Sequence, residues 1–116
     1  MLEELNMGTI KNLEKINVCK RNKIQKGMAF VDEMNKKEPV IDRVIIFGSA
    51  IRDDCTEDSD IDVCIDTQYD TRNSTYFNAS GRLPDVMDEI CDILKYNRLN
   101  QRFKAIVDQG VVVYER

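Results

Sequence analysis

Residues 44–65 read VIIFGSAIRDDCTEDSDIDVCI, and the fold turns on how this stretch is divided. The apolar run Val44-Ile45-Ile46-Phe47 stops at Gly48-Ser49, a short acidic loop follows, and Asp60 and Asp62 open a second apolar run. β-branched and aromatic residues in an unbroken run suit a strand buried on both faces, so Val40 to Phe47 reads as one strand and Ile61 to Ile65 as the next. Side chains alternate along a strand. Ile61, Val63 and Ile65 therefore share one face, and Asp60, Asp62 and Cys64 share the other.

That alternation is where chemistry enters. Two carboxylates at i and i+2 point the same way, and like charges held together destabilise each other unless a cation joins them. Magnesium takes oxygen ligands and binds through a few carboxylates plus substrate phosphates. Gly48 permits close backbone approach, successive amides after a strand make an anion-binding concavity, and the Ser49 hydroxyl adds a donor. Each half alone is commonplace: Asp-x-Asp is more often an acidic strand end, and Gly-Ser an ordinary turn. Joined by ten residues and each flanked by an apolar strand, they point to phosphoryl or nucleotidyl transfer.

Composition bounds the alternatives. With 116 residues, 42% hydrophobic and 33% charged, the chain suits one globular domain with a small core. No run approaches 18 apolar residues, and the start, MLEELNMGTIKNLEK, lacks the apolar stretch of a secretory signal, so a cytoplasmic location is expected. The four cysteines, Cys19, Cys55, Cys64 and Cys91, show no metal-ligand spacing and are expected as reduced thiols. The absence of histidine excludes a Ser-His-Asp triad, a Cys-His pair and His-ligated zinc or iron. A net charge of −4 gives no global nucleic-acid footprint, though charge is uneven. Residues 53–62 hold six acids, whereas Lys95, Arg98, Arg102 and Lys104 cluster further on; taken singly, these are solvated surface residues.

Along the chain, Leu2, Leu5, Ile10, Leu13 and Ile16 fall at roughly helical spacing over residues 2–19, with a break at Gly8-Thr9 and Thr9 as an N-cap. Ile24, Met28, Val31 and Met34 mark a helix over 22–37, starting at Asn22 and stopped by Pro39. Residues 67–82 are polar and predict a long loop, whose Asn73 and Asn78 sequons read as chance matches. Pro84 suits the first turn of a helix running to about Ile90. Cys91 to Tyr96 predicts a strand carrying Asp92. Leu99, Phe103, Ile106 and Val107 predict a helix over 98–109 capped by Gly110, and Val111 to Tyr114 a last strand. Asp66 and Asp88 read as surface residues and Cys64 as packing. The expected fold is α/β (α+β), a small mixed sheet flanked by helices, with residues 1–39 supplying helices that pack on a core at 40–116.

Gly-Ser, a loop of this length and Asp-x-Asp together resemble the DNA polymerase beta-type nucleotidyltransferase superfamily. Within it the chain is similar to the small stand-alone minimal nucleotidyltransferases (MNT), over most of residues 40–116. Arg52 matches a frequent basic position after the Gly-Ser, and Asp53 departs from the Gly that often follows it. Asp92 matches the third carboxylate that such proteins carry on a later strand. The resemblance implies that Asp60, Asp62 and Asp92 hold two magnesium ions, with manganese as a substitute, and that Gly48, Ser49 and Arg52 hold nucleotide phosphates. It implies attack on the α-phosphorus of an NTP, ATP above all, with Asp92 receiving the acceptor's proton. No residues are left over for an acceptor-gripping domain, so a second chain, a HEPN-family partner or another copy of this one, is expected to complete the site. Two readings then stand. The chain transfers AMP to a protein or small-molecule acceptor as the antitoxin of a HEPN/MNT pair, or it is a non-catalytic antitoxin that neutralises its partner by contact.

Overall fold

The computed structural model describes residues 8–116, and the run Ile45-Ile46-Phe47 lies at the middle of its sheet. In chain order the elements are β1 (Thr9–Ile10), α1 (Val18–Lys37), β2 (Arg43–Phe47), β3 (Ile61–Asp66), α2 (Ser74–Met87), β4 (Cys91–Lys95), α3 (Gln101–Asp108) and β5 (Val111–Glu115). Short 3-10 turns cover Leu13–Lys15, Gly48–Ile51 and Tyr96–Arg98. The five strands form one sheet in the order β1-β5-β2-β3-β4. All pairs are antiparallel except β3 with β4, which run parallel because α2 carries the chain back between them. This is the mixed sheet with flanking helices that the sequence predicts.

Strand alternation divides the core in two. Val44 and Ile46 of β2 and Ile61, Val63 and Ile65 of β3 meet Ile24, Met28 and Val31 of α1 and Ala79, Leu83 and Met87 of α2. On the opposite face Ile45, Phe47 and Cys64 pack against Val107 of the much shorter α3. That second face is only partly covered, and its open end carries the acidic residues. Among the described residues no helix is long and apolar enough to cross a membrane.

Several local expectations are corrected. The helix expected over 2–19 is replaced, from Gly8 on, by β1 and a 3-10 turn; Leu2 and Leu5 lie outside the described residues. Thr9 is paired with Glu115 rather than capping a helix, because β5 offers Thr9 and Ile10 a free edge. α1 starts at Val18, four residues before Asn22, since the Asn17 side chain accepts the Cys19 N–H at 2.9 Å. The strand expected from Val40 begins at Arg43, because Asn35 captures the amides of Val40 and Ile41 at 3.2 and 3.0 Å. The expected loop 67–82 is helical from Ser74, capped by Asn73, whose side chain accepts the Tyr76 N–H at 3.0 Å. Pro84 thus sits inside α2, three residues before its end, rather than in a first turn. Gly110 is not a left-handed cap: the cap of α3 is Gln109, in right-handed helical conformation. What Gly110 supplies is clearance, since a Cβ there would lie 2.6 Å from the Ile46 carbonyl oxygen.

Candidate active site

β2 ends at Phe47, and the chain turns at once through Gly48–Ile51. Gly48 has φ of +74°, a left-handed conformation that L side chains rarely adopt. Its neighbour explains why no side chain is present. Phe47 is paired in register with Asp62, and a Cβ on Gly48 would stand 3.0 Å from the Asp62 carboxyl carbon and closer still to Oδ2. The turn and the carboxylate are therefore one unit. The glycine lets the Asp62 carboxylate lie against the main chain.

The parallel register of β3 and β4 places Asp62 directly opposite Asp92. Neighbouring strands stand about 4.8 Å apart, and both residues project from the α3 face. Asp60 is the residue immediately before β3. Asp62 is half-buried, and Asp60 and Asp92 are exposed. Burial raises the Asp62 carboxyl above its ordinary value, and the charges of Asp92 and Asp60 push it further the same way; Arg52 opposes them. None of the three carboxylates accepts a hydrogen bond or joins an ion pair among the described residues. Asp62 and Asp92 are thus neighbours across the β3–β4 pairing, with the Asp60 charge near enough to act on Asp62. No three His, Cys, Asp or Glu side chains among the described residues stand close enough to enclose an ion by themselves. The donor set nonetheless fits magnesium, which binds through one or two carboxylates with phosphates and water completing its shell. Every group here is a hard oxygen, and the repulsion that raises Asp62 is what a cation relieves.

Ser49 lies on the 3-10 turn with its hydroxyl 3.5 Å from the Asp60 carbonyl, a long contact that leaves it available to another acceptor. Arg52 closes the turn, and its side chain, exposed, pairs with Asp54 at 3.1 Å. Gly48, Arg52 and Asp62 share one cleft of about 330 Å³ with Phe47, Ile51, Ile106, Gln109 and Gly110. Cys64, two residues beyond Asp62, is buried, and burial pushes its thiol up to about 12, which removes it as a nucleophile near neutral pH.

Residues that the sequence reading passed over hold this end of the molecule together. The Asn17 amide N–H bonds the Ala50 carbonyl at 2.8 Å, and its side chain donates to the Arg52 carbonyl at 2.8 Å. Lys20, fully buried, donates to the Glu57 carbonyl at 2.9 Å and pairs with Glu89. Lys23 joins Glu89 from the outside at 3.0 Å. The Ile61 amide bonds the Ile90 carbonyl at 3.0 Å, tying the starts of β3 and β4. The first turns of α1 thus anchor all three segments that frame the carboxylates. A lysine inside a helical stripe, between Asn17 and Ile24, was the available signal.

Gly48→Ala tests the coupling of turn and carboxylate. The left-handed conformation costs an L residue about 1–2 kcal/mol, and the added methyl displaces Asp62. Urea denaturation is expected to show that loss, and calorimetry to show weakened binding of ATP with magnesium. Unchanged affinity would remove Gly48 from the nucleotide site.

A profile described as polymerase beta nucleotidyltransferase matches residues 29–116. Two solved structures share the fold. One is a toxin–antitoxin complex, MntA–HpeT, carrying two aspartate-to-glutamate substitutions. It is 18% identical with a TM-score of 0.57, over 82% of this chain and 72% of that one. The other is a complex of an MNT antitoxin with a tri-AMPylated HEPN toxin from Shewanella oneidensis. It is 16% identical with a TM-score of 0.56, over 79% of this chain and 72% of that one. At such identities the likeness establishes the fold. A search of curated proteins finds no match.

Proposed function

The chain belongs to the polymerase beta nucleotidyltransferase family, and from that premise we propose that it is a magnesium-dependent nucleotidyltransferase that moves AMP from ATP to a partner protein in the cytoplasm. One observation carries the reading: Asp62 and Asp92 stand opposite each other on parallel strands, unpartnered, with Gly48 shaped around Asp62. A pair of mutually repelling carboxylates beside a phosphate-sized turn has little structural use and an evident catalytic one.

In this reading the Gly48-Ser49 amides, the Ser49 hydroxyl and Arg52 hold the triphosphate and fix its orientation. Asp60, Asp62 and Asp92 would share magnesium with phosphate and water oxygens, and the ion would supply charge neutralisation on the phosphate oxygens. The acceptor oxygen forms a bond to the α-phosphorus, the bond to pyrophosphate breaks, and Asp92, exposed on the edge strand β4, takes the acceptor's proton. The chain itself contributes positioning and electrostatics, with no covalent intermediate.

The acceptor side is open, because β4 is an edge strand of the sheet. We assign it to a HEPN-type toxin, with this chain as the antitoxin. Both solved neighbours are toxin–antitoxin complexes, and the Shewanella toxin is AMPylated. The test is incubation of the protein with α-phosphate-labelled ATP, magnesium and the partner. Label and an AMP mass gain on the partner are expected. A partner silenced without any mass gain would sink the enzymatic reading and leave neutralisation by contact.

A further inference from the structure

α3 is polar along most of its length, yet it exposes Ile106 at 53% and Phe103 at 38%. Its apolar residues outnumber what the small second core needs, since Val107 alone fills that role. Phe103 is accounted for by an edge-to-face contact with Phe47 at 6.3 Å. Ile106 is not. It forms one wall of the cleft that also holds Gly48, Arg52 and Asp62, with Phe47 and Ile51 as further apolar lining and Gln109 as a polar group. The cleft therefore sets apolar wall, from Phe47, Ile51 and Ile106, beside the charged Arg52 and Asp62.

Building on the nucleotide site proposed above, we propose that the α3 end of this cleft is the nucleobase slot, with Ile106 packing against the face of the base. The argument is continuity. A triphosphate held by Gly48 and Arg52 places the rest of its nucleotide either toward Asp92, where the acceptor must enter, or toward α3. The cleft that holds Gly48 and Arg52 is lined by Ile106 of α3 and by no residue of β4. A volume of about 330 Å³ lies within the roughly 300–1,000 Å³ seen for small-molecule pockets. Gln109, which also lines the cleft, carries both donors and an acceptor, the groups that a base edge pairs with.

The test compares binding of ATP with binding of inorganic tripolyphosphate, both with magnesium, by calorimetry on wild type, Ile106→Ser and Ile106→Trp. Ile106 is half-exposed, so both variants are expected to fold, and circular dichroism checks it. Ile106→Ser is expected to weaken ATP about tenfold while leaving tripolyphosphate within about twofold, because the wall it removes touches only the base. Ile106→Trp is expected to tighten ATP about fivefold by adding a stacking face. Equal weakening of both ligands by Ile106→Ser, or no weakening of either, overturns the slot. So does loss of partner binding with ATP affinity intact, which would make Ile106 a protein contact. Failure of the wild type to bind either ligand overturns the nucleotide site itself, an outcome distinct from the others.

Discussion

Glu89→Ala is expected to remove about 3–5 kcal/mol of folding stability, a large share of the roughly 5–15 kcal/mol that a small domain has. Lys20 is fully buried, and among the described residues Glu89 is the one carboxylate that pairs with it. Truncating Glu89 leaves an ammonium inside the protein with the Glu57 carbonyl as its remaining partner. The loss should spread to the site, because Lys20 ties together the loop leading to Asp60 and the segment leading to Asp92. Urea denaturation measures it, and a change below about 1 kcal/mol would show that the pair is not a structural anchor. Replacing both members with apolar residues, Lys20→Met with Glu89→Leu, should recover most of the loss, since no charge is then left buried. The pair also sets an acid dependence. Burial pushes the Glu89 carboxyl up, but hydrogen bonds and charge from Lys20 and Lys23 outweigh it and hold the group below its ordinary value of 4.5. A depressed carboxyl contributes stability above its unfolded pKa and loses it as pH falls through the folded one. Wild type should therefore lose stability below about pH 4.5 more steeply than Glu89→Ala.

Asp62→Asn is expected to cut nucleotidyl transfer by at least about 100-fold while leaving the fold intact. Loss of a group that merely orients a metal ligand costs roughly 10–100-fold, and removal of a ligand's charge costs no less. Shape is kept, so the turn at Gly48 has no reason to move. In the absence of divalent cations the variant should be the more stable protein at neutral pH. The Asp62 carboxyl is raised by burial and by Asp92 and Asp60. A raised carboxyl is harmless below its unfolded pKa and destabilising once pH passes the folded one. The difference in melting temperature should thus vanish below the ordinary carboxylate range, and magnesium should narrow it at pH 7 by joining the wild-type carboxylates. Transfer at the wild-type rate would remove Asp62 from the site. An equal melting temperature at pH 7 without metal would reject the electrostatic account.

Much of this arrangement was legible from residue order, because its causes are local. A strand has a two-residue period whatever surrounds it, so the face of Asp62 and Cys64 and the opposite face of Ile61, Val63 and Ile65 followed directly. The end of β2 at Gly48 followed too, since an apolar run stops where glycine and serine begin. The elements that were misread are those whose local signal is weak or belongs to a neighbour. β1 is two residues long and exists only because β5 leaves an edge for it. α2 carries an apolar stripe of Tyr76, Ala79, Leu83 and Met87, but Gly81, Pro84 and the polar residues between masked it until the sheet and α1 gave that stripe a surface to cover.

By itself, then, the sequence determined the two central strands, the face of β3 on which Asp62 lies and the exclusion of histidine-based chemistry. Tertiary structure alone decided the pairings between distant segments. The parallel register of β3 and β4 set Asp92 opposite Asp62, and a register one residue different would have turned Asp92 to the other face. Burial of Lys20 needed Glu57 and Glu89 to arrive from 37 and 69 residues away. The cleft needed α3 to cross behind Gly48. Periodicity is a property of the chain's own geometry, whereas register, buried charge pairing and cavity shape are properties of surfaces that meet only when the whole chain has folded.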